Sequence, residues 1–336
     1  MIDDLIDSFE ATVTRANSHE AGRPRVHTTI MESVDVVWGS DLHGMQYDPL
    51  KDIYIQQGVR EFTTVLGMIE AMKNRSVGLE TGFFRGGAHL LFREFFDKFV
   101  SVELNPAHLI KYLQNNVLDD RSELIIGPSV APSTLDKVRE VTNGELDFIM
   151  LDGDHSYEGV KSDFLAYWPM LRDNGILAIH DSSCPHVRVI KDVYQFVQEL
   201  KQLHFNIDLV HIDYCGIAII RKDEQNRNIK LPENKYMTSL DALPPNARLC
   251  LYGSGNFGRR MRNNIAIQRK DIEVRFFADS FKDGQEGNLK VINVNNLKEH
   301  MAEIDMVLVT SMYSRDIETI LGNHGISNYK IAMSFL

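Results

Sequence analysis

The chain has 336 residues, 43% hydrophobic and 25% charged, enough for two domains that each bury a core. Its formal net charge of -11 repels phosphate backbones and excludes a general role on nucleic acid. Cys184, Cys215 and Cys250 are too scattered for a zinc site or a disulfide framework, which fits a reduced, cytoplasmic setting.

The chain starts MIDDLIDSFEATVTRA, with Ile2, Leu5, Ile6, Phe9 and Val13 on one helical face. It lacks the basic start and apolar run of a signal peptide, and no stretch is long and apolar enough to span a membrane. VDVVWGSDLHGMQYDPL, with Trp38, His43 and Tyr47, reads as irregular structure, either a lid over an acceptor or simple packing. Residues 59–73 set Val59, Phe62, Leu66, Ile69 and Met72 at helical spacing, and Asn74 stops them. Strands and helices then alternate: strand SVGLET, a helix over 88–99, strand FVSVEL, a helix opening at Pro106, strands SELIIG and DFIMLD, a helix over 157–171, strand GILAIHD and a helix over 188–203. NIDLVHID and GIAIIRK follow as a closing antiparallel pair. That alternation predicts a mostly parallel, doubly wound α/β sheet covered on both faces. A polar stretch with Pro244-Pro245 interrupts it before the pattern restarts at ARLCLYGSG. The expected organisation is an N-terminal helix and lid-like segment (1–58), a large α/β domain (59–222), a linker (223–246) and a smaller α/β domain (247–336).

In VGLETGFFRGGAHLLF a strand ends at Glu80 and Thr81 and runs into Gly82, Gly86 and Gly87. Ligands of open α/β sheets sit at such strand ends, where glycines let them approach the backbone. The next strand ends at Glu103, about twenty residues on, where a carboxylate can hold both ribose hydroxyls. Three readings compete: a dinucleotide site, a structural glycine turn, and adenosylmethionine. The spacing is not G-x-G-x-x-G, and a ligand with a ribose but no phosphate suits the loop best.

The segment LDFIMLDGDHSYEGVKSDFLAYWPMLRDNGILAIHDSS is the most specific. Asp152 ends the fourth strand and Asp181 the fifth, so adjacent strands bring two carboxylates to one rim. Such carboxylates repel unless a cation lies between them, and a hard divalent ion fits. It would hold a substrate diol and lower a hydroxyl pKa. His155 follows Asp152 by three residues, where an imidazole can remove a hydroxyl proton near neutral pH. Asp154 is a candidate cap for the helix near Tyr157, and Tyr157, Glu158 and His89 read as structural.

Over residues 60–220 the chain resembles the small class I methyltransferases related to macrolide-sugar O-methyltransferases and cephalosporin hydroxylase-type methyltransferases. The D-G-D-H-S-Y-E-G-V block and the later H-D carry the resemblance. E-x-G-x-x-x-G-G at Glu80–Gly87, V-E at Val102–Glu103 and G-x-S at Gly127–Ser129 occur in the expected order. It implies a Rossmann-like methyltransferase sheet that binds adenosylmethionine through Glu80, Thr81, Gly82, Gly86, Gly87, Glu103, Ser129 and Asp152, with Gly127–Ser129 near the adenine. It also implies His155 as general base and Asp152 and Asp181 as ligands of Mg²⁺ or Mn²⁺. Metal-using members carry an acid where this chain has His180, so His180 is a candidate third ligand, and its imidazole favours a borderline metal over Mg²⁺.

In the smaller domain, RLCLYGSGNFGRRMRNNI sets Gly253, Gly255 and Gly258 between a strand and a helix, and the next strand ends at Asp279. This is the dinucleotide fingerprint on half a dinucleotide fold, similar to small Rossmann-like modules appended to sugar-modifying enzymes. The leading expectation is a cytoplasmic, homo-oligomeric O-methyltransferase acting on a saccharide or glycoside, nucleotide sugars included. The alternative is a nucleotide-sugar- or NAD-binding oxidoreductase or binding protein that uses the GSGNFG loop.

Overall fold

The computed structural model describes residues 26–27, 35–38, 53–55, 57–84, 86–105, 120–187, 190–212, 214–311 and 313–336. The expected N-terminal helix, His43, Tyr47 and the helix opening at Pro106 lie outside them. Chain contacts divide the protein into two units, Met1–Leu231 and Pro232–Leu336. Among the described residues no helix is long and apolar enough to cross a membrane.

In the first unit, β1 (Val26–His27), β2 (Asp35–Trp38) and β3 (Ile53–Ile55) form a small sheet of their own. Helix α1 (Val59–Glu70) buries Phe62, Val65, Leu66 and Ile69 along one face. The main sheet comprises β4 (Val77–Thr81), β5 (Lys98–Glu103), β6 (Ser122–Ile126), β7 (Leu146–Leu151), β8 (Leu171–Ile179), β9 (Asp208–Val210) and β10 (Ile217–Arg221). Its order is β6-β5-β4-β7-β8-β10-β9, parallel except that β10 runs antiparallel to both β8 and β9. The chain winds outward from β4 in one direction and from β7 in the other, so the order reverses between these two strands. Every residue of β7 is buried. Phe148 and Met150 pack into one core with Phe62, Phe92 and Phe99, while Ile149 and Leu151 pack into another with Phe164 and Phe196. Burial on both faces explains why the strand reads as a continuous apolar run.

The helices are shorter than periodicity predicts. The expected helix over 88–99 is α2 (Gly87–Phe92), a short 3-10 turn to Phe95, and then β5 from Lys98, because pairing with β4 claims the rest. Helix α3 (Pro132–Thr142) is absent from the sequence expectation, although Pro132 suits its first turn and left-handed Asn143 ends it. Helix α4 (Tyr157–Tyr167) stops before Pro169, and a 3-10 turn then leads into β8. Its cap is Ser156, whose hydroxyl accepts the Gly159 N–H at 3.0 Å, whereas Asp154 instead accepts the Ser156 N–H at 2.9 Å. Helix α5 (Lys191–Gln202) buries Val193, Phe196, Val197 and Leu200.

The second unit is another α/β sheet, with β11 (Tyr236–Met237), β12 (Arg248–Tyr252), β13 (Glu273–Asp279), β14 (Gly284–Glu286), β15 (Leu289–Asn293), β16 (Met306–Val309) and β17 (Tyr329–Ala332). Helices α6 (Asn256–Gln268), α7 (Val294–Leu297) and α8 (Ser314–Asn323) connect them. The order is β11-β17-β16-β12-β13-β15-β14, with only the edge strand β14 antiparallel. The segment expected as a linker contributes Tyr236–Met237 to this sheet, paired with Ile331 and Ala332, so its second half belongs to the second unit. Two buried residues form a strand too short for sequence alternation to show.

Candidate active site at the carboxyl ends of the first sheet

The glycine loop follows β4 at the point where strand order reverses. Gly82 has φ +90°, and a Cβ there would lie 2.1 Å from the Asp152 carbonyl oxygen, so only glycine lets the two strand ends approach. Gly86, at φ +73°, precedes α2, which opens at Gly87. Phe84 between them holds φ +46°, an unusual conformation for a bulky residue and one that gathers at functional sites. Glu103 is buried and accepts the N–H of Phe84 at 2.8 Å and of Asn105 at 2.7 Å, so its carboxylate braces this loop. Glu80 is buried, and that burial pushes its pKa well up while Ser101 donates to it at 2.6 Å. His89 is wholly buried between the hydroxyls of Ser101 and Ser122, a structural place as expected.

Thr81 is buried, with its hydroxyl 3.4 Å from the Asp152 N–H. Beyond β6, Ser129 donates to Asp163 on α4 at 2.5 Å. Burial raises the Asp163 carboxyl to about 7, against the opposing bonds from Ser129 and Thr81. No local motif announces Asp163; its signal is a carboxylate on the apolar stripe of a helix.

Asp152, His155, His180 and Asp181 converge at the ends of β7 and β8. His155 Nε2 lies 3.3 Å from Asp152 Oδ1 and 3.2 Å from Asp181 Oδ2. His180 Nδ1 lies 3.0 Å from Asp152 Oδ1 and 3.4 Å from Asp181 Oδ1. Burial pushes the His180 imidazole down, but the two carboxylates outweigh it and hold its pKa up at about 9. The same burial works against the Asp152 carboxylate, yet the adjoining imidazoles, His180 first, keep it well below the usual range. His155 is pushed down by burial and raised by Asp152 and Asp181, with a net upward shift. A cation between the carboxylates is thus supplied by the protein itself, the His180 imidazole. Asp181 holds φ +59°, a second strained backbone at this rim.

The residues able to share a divalent ion are Asp152, His155 and Asp181, whose ligand atoms all lie within 4.8 Å of one another. The expected set had His180 in place of His155. His180 is instead buried behind the rim, stacked on Tyr214 with ring planes 13° apart and donating toward Asp152.

Two more site residues, besides Asp163, escaped the sequence analysis. Gln57, just before α1, donates its side-chain amide to Asp152 Oδ2. Glu61, fully buried on α1, accepts the N–H groups of Ile212 at 2.8 Å, Tyr214 at 3.1 Å and Gly216 at 3.0 Å. It thereby pins the turn that carries Tyr214 onto His180. That turn also runs beside the end of β8, where Ser183 N–H donates to the Cys215 carbonyl at 2.9 Å. Burial, with Asp181 and Cys184 next to it, pushes the Cys215 thiol up.

A methyltransferase-domain family profile matches residues 79–182, the stretch from the glycine loop to just past Asp181. Residues 79–182 thus match a methyltransferase domain. Among solved structures, a Staphylococcus aureus protein assigned as a caffeoyl-CoA O-methyltransferase is 22% identical, with a TM-score of 0.41 over 49% of this chain and 84% of that one. The SAH-bound Podospora anserina methyltransferase PaMTH1 is 18% identical, with a TM-score of 0.40 over 50% of this chain and 80% of that one. MycE, a methyltransferase of the mycinamycin pathway crystallised with Mg, SAH and mycinamycin VI, is 21% identical, with a TM-score of 0.37 over 51% of each chain. No curated protein matches.

The matched stretch ends before the GSGNFG loop, which belongs to the second unit. Gly253 there has φ +114°, with a Cβ position 2.7 Å from the Thr310 carbonyl oxygen. At Gly258 a Cβ would lie 1.9 Å from the Gly253 carbonyl oxygen, whereas Gly255 faces open space. Asp279 accepts the Ser254 hydroxyl at 2.6 Å and the Phe281 N–H at 3.0 Å. Packing therefore accounts for two of the three glycines, and local hydrogen bonds for the acid.

Proposed function

We propose that the protein is an adenosylmethionine-dependent O-methyltransferase acting on a hydroxyl of a saccharide or glycoside. The observation that carries this reading is His155, held through Nε2 by the carboxylates of Asp152 and Asp181. An imidazole anchored at one nitrogen presents the other to a substrate proton, as in other carboxylate–histidine pairs. Nδ1 of His155 has no partner among the described residues, and the side chain is 29% exposed at the rim. As the acceptor oxygen bonds to the sulfonium methyl, the carbon–sulfur bond breaks to leave adenosylhomocysteine, and the hydroxyl proton passes to His155. Glu80, Thr81, Gly82, Gly86, Gly87, Glu103 and Ser129 line the cofactor end of the sheet. Asp152 and Asp181 fit a divalent ion, Mg²⁺ or Mn²⁺, by their convergence, and such an ion would polarise the acceptor hydroxyl when bound.

Calorimetry with adenosylhomocysteine on the full chain, followed by turnover assays before and after EDTA, tests the reading. Binding is expected, with activity lost on chelation and restored by Mg²⁺ or Mn²⁺. No binding would end the proposal, and full activity after rigorous chelation would remove the metal and leave His155 acting alone.

A further inference from the structure

We propose that Gln57 reads a second hydroxyl of the acceptor, adjacent to the one that is methylated. This rests on the reading of the Asp152 rim as the transfer site. Gln57 is 3% exposed and donates its Nε2 to Asp152 Oδ2, which leaves its buried amide oxygen Oε1 without a hydrogen-bond partner among the described residues. A buried acceptor with no donor is costly, and native structures rarely keep one without a use. The buried Nε2 of His180 also has no partner among the described residues. Both flank a single carboxylate: Asp152 Oδ1 faces the imidazoles of His155 and His180, and Oδ2 faces Gln57.

The missing partner of Oε1 must be a donor. Gln57 and His155 bond opposite oxygens of one carboxylate, so a ligand reaching both needs two hydrogen-bond donors close together. Hydroxyls on adjoining carbons meet that need: one loses its proton to His155 while its neighbour donates to Gln57. A site built to bond a hydroxyl discriminates strongly against analogues that lack it. Gln57 thus selects vicinal diols, the arrangement found in sugars.

Two substitutions separate the two ends of the amide. Gln57→Met removes both, and Gln57→Lys keeps a donor toward Asp152 but has no acceptor. Turnover is measured with labelled adenosylmethionine on methyl glycosides of common hexoses and their monodeoxy analogues, beside melting temperature and adenosylhomocysteine affinity. Both variants should lower kcat/KM by about ten- to a hundredfold, chiefly through the KM of the glycoside. Adenosylhomocysteine affinity should stay within about twofold, and melting within a few degrees of wild type. On the analogue lacking the neighbouring hydroxyl, the gap between wild type and variant should close.

Full activity in Gln57→Lys would overturn the proposal, because the acceptor atom would then do nothing. So would a tenfold loss of adenosylhomocysteine affinity with the glycoside KM unchanged, which would move Gln57 to the cofactor. Wild-type inactivity on every glycoside would instead sink the reading of the site. The stability measurement would still decide Gln57: a melting loss above ~5 °C in Gln57→Met, restored in Gln57→Lys, would make it a structural prop for Asp152.

Discussion

The two units of this chain begin alike. In each, a strand runs into a glycine loop and a helix, and the next strand ends in an acid. In the first, Glu103 takes the N–H groups of Phe84 and Asn105; in the second, Asp279 takes the Ser254 hydroxyl and the Phe281 N–H. They differ one strand beyond the switch in order. In the first unit β7 and β8 end in Asp152, His155, His180 and Asp181, whereas β16 of the second ends at Val309 and leads to Thr310, whose hydroxyl is bonded to the Tyr252 carbonyl at 3.1 Å. A glycine loop with a following acid is therefore a property of the fold. Chemistry is decided by what the later strands bring to the same rim.

The largest expected effect falls on the part the second unit lacks. His155→Ala should lower kcat by about a hundred- to ten-thousand-fold and leave adenosylhomocysteine affinity nearly unchanged. Because the neutral ring is the base, wild-type rate should rise with pH as the imidazole loses its proton. In the metal-free protein Asp152 and Asp181 shift the His155 pKa upward, so its midpoint there should lie above the ordinary histidine value. A kcat within a few-fold of wild type would leave the two units chemically equivalent at this position.

Next come the glycines the loops share. Gly82→Ala forces a Cβ to 2.1 Å from the Asp152 carbonyl at φ +90°, so adenosylhomocysteine binding should fall by at least about a hundredfold or the first unit should unfold. Gly255→Ala meets open space at an ordinary φ of -78° and should leave melting unchanged. If Gly255→Ala nonetheless abolishes binding of NAD or a nucleotide sugar in calorimetry, the second loop is a ligand site and the contrast narrows.

Glu103→Ala should weaken adenosylhomocysteine at least about tenfold, through lost ribose contacts or through the unbraced Phe84 turn. Asp279→Ala should leave that affinity untouched, and an equal loss there would end the contrast between the two acids.

The smallest effect concerns Asp163. Burial raises its folded pKa to about 7 from 3.8, so the folded state favours the protonated carboxyl. Its contribution is complete below the unfolded value and is lost as pH rises through the folded one. Asp163→Asn should melt like wild type in acid and a few degrees higher at pH 8, a comparison scanning calorimetry makes directly. Equal melting at both pH values would show that Asp163 is not held neutral behind Ser129.

Strand and helix alternation, the closing antiparallel pair and the convergence of the Asp152 and Asp181 strand ends were legible in the sequence. Each depends on residues near one another in the chain or on strand ends that the fold class aligns. Helix α3 was missed because its buried positions, Thr134, Val138 and Thr142, are mostly hydroxyl-bearing and give little apolar period. His180 resisted for another reason. Its neighbours in sequence suggest a metal ligand, but whether an imidazole binds a metal or bonds to a carboxylate depends on what surrounds it in space.

The sequence by itself determined which strand ends carry ionisable groups, since hydrophobic period and motif order are local properties of the chain. Only the tertiary structure decided how those groups are held. Gln57 meets Asp152 across 95 residues, and Glu61 grips a turn more than 150 residues away. Such bonds need a single polar atom at each end and leave no periodic trace. Their energy comes from burial, which exists only once the chain has folded.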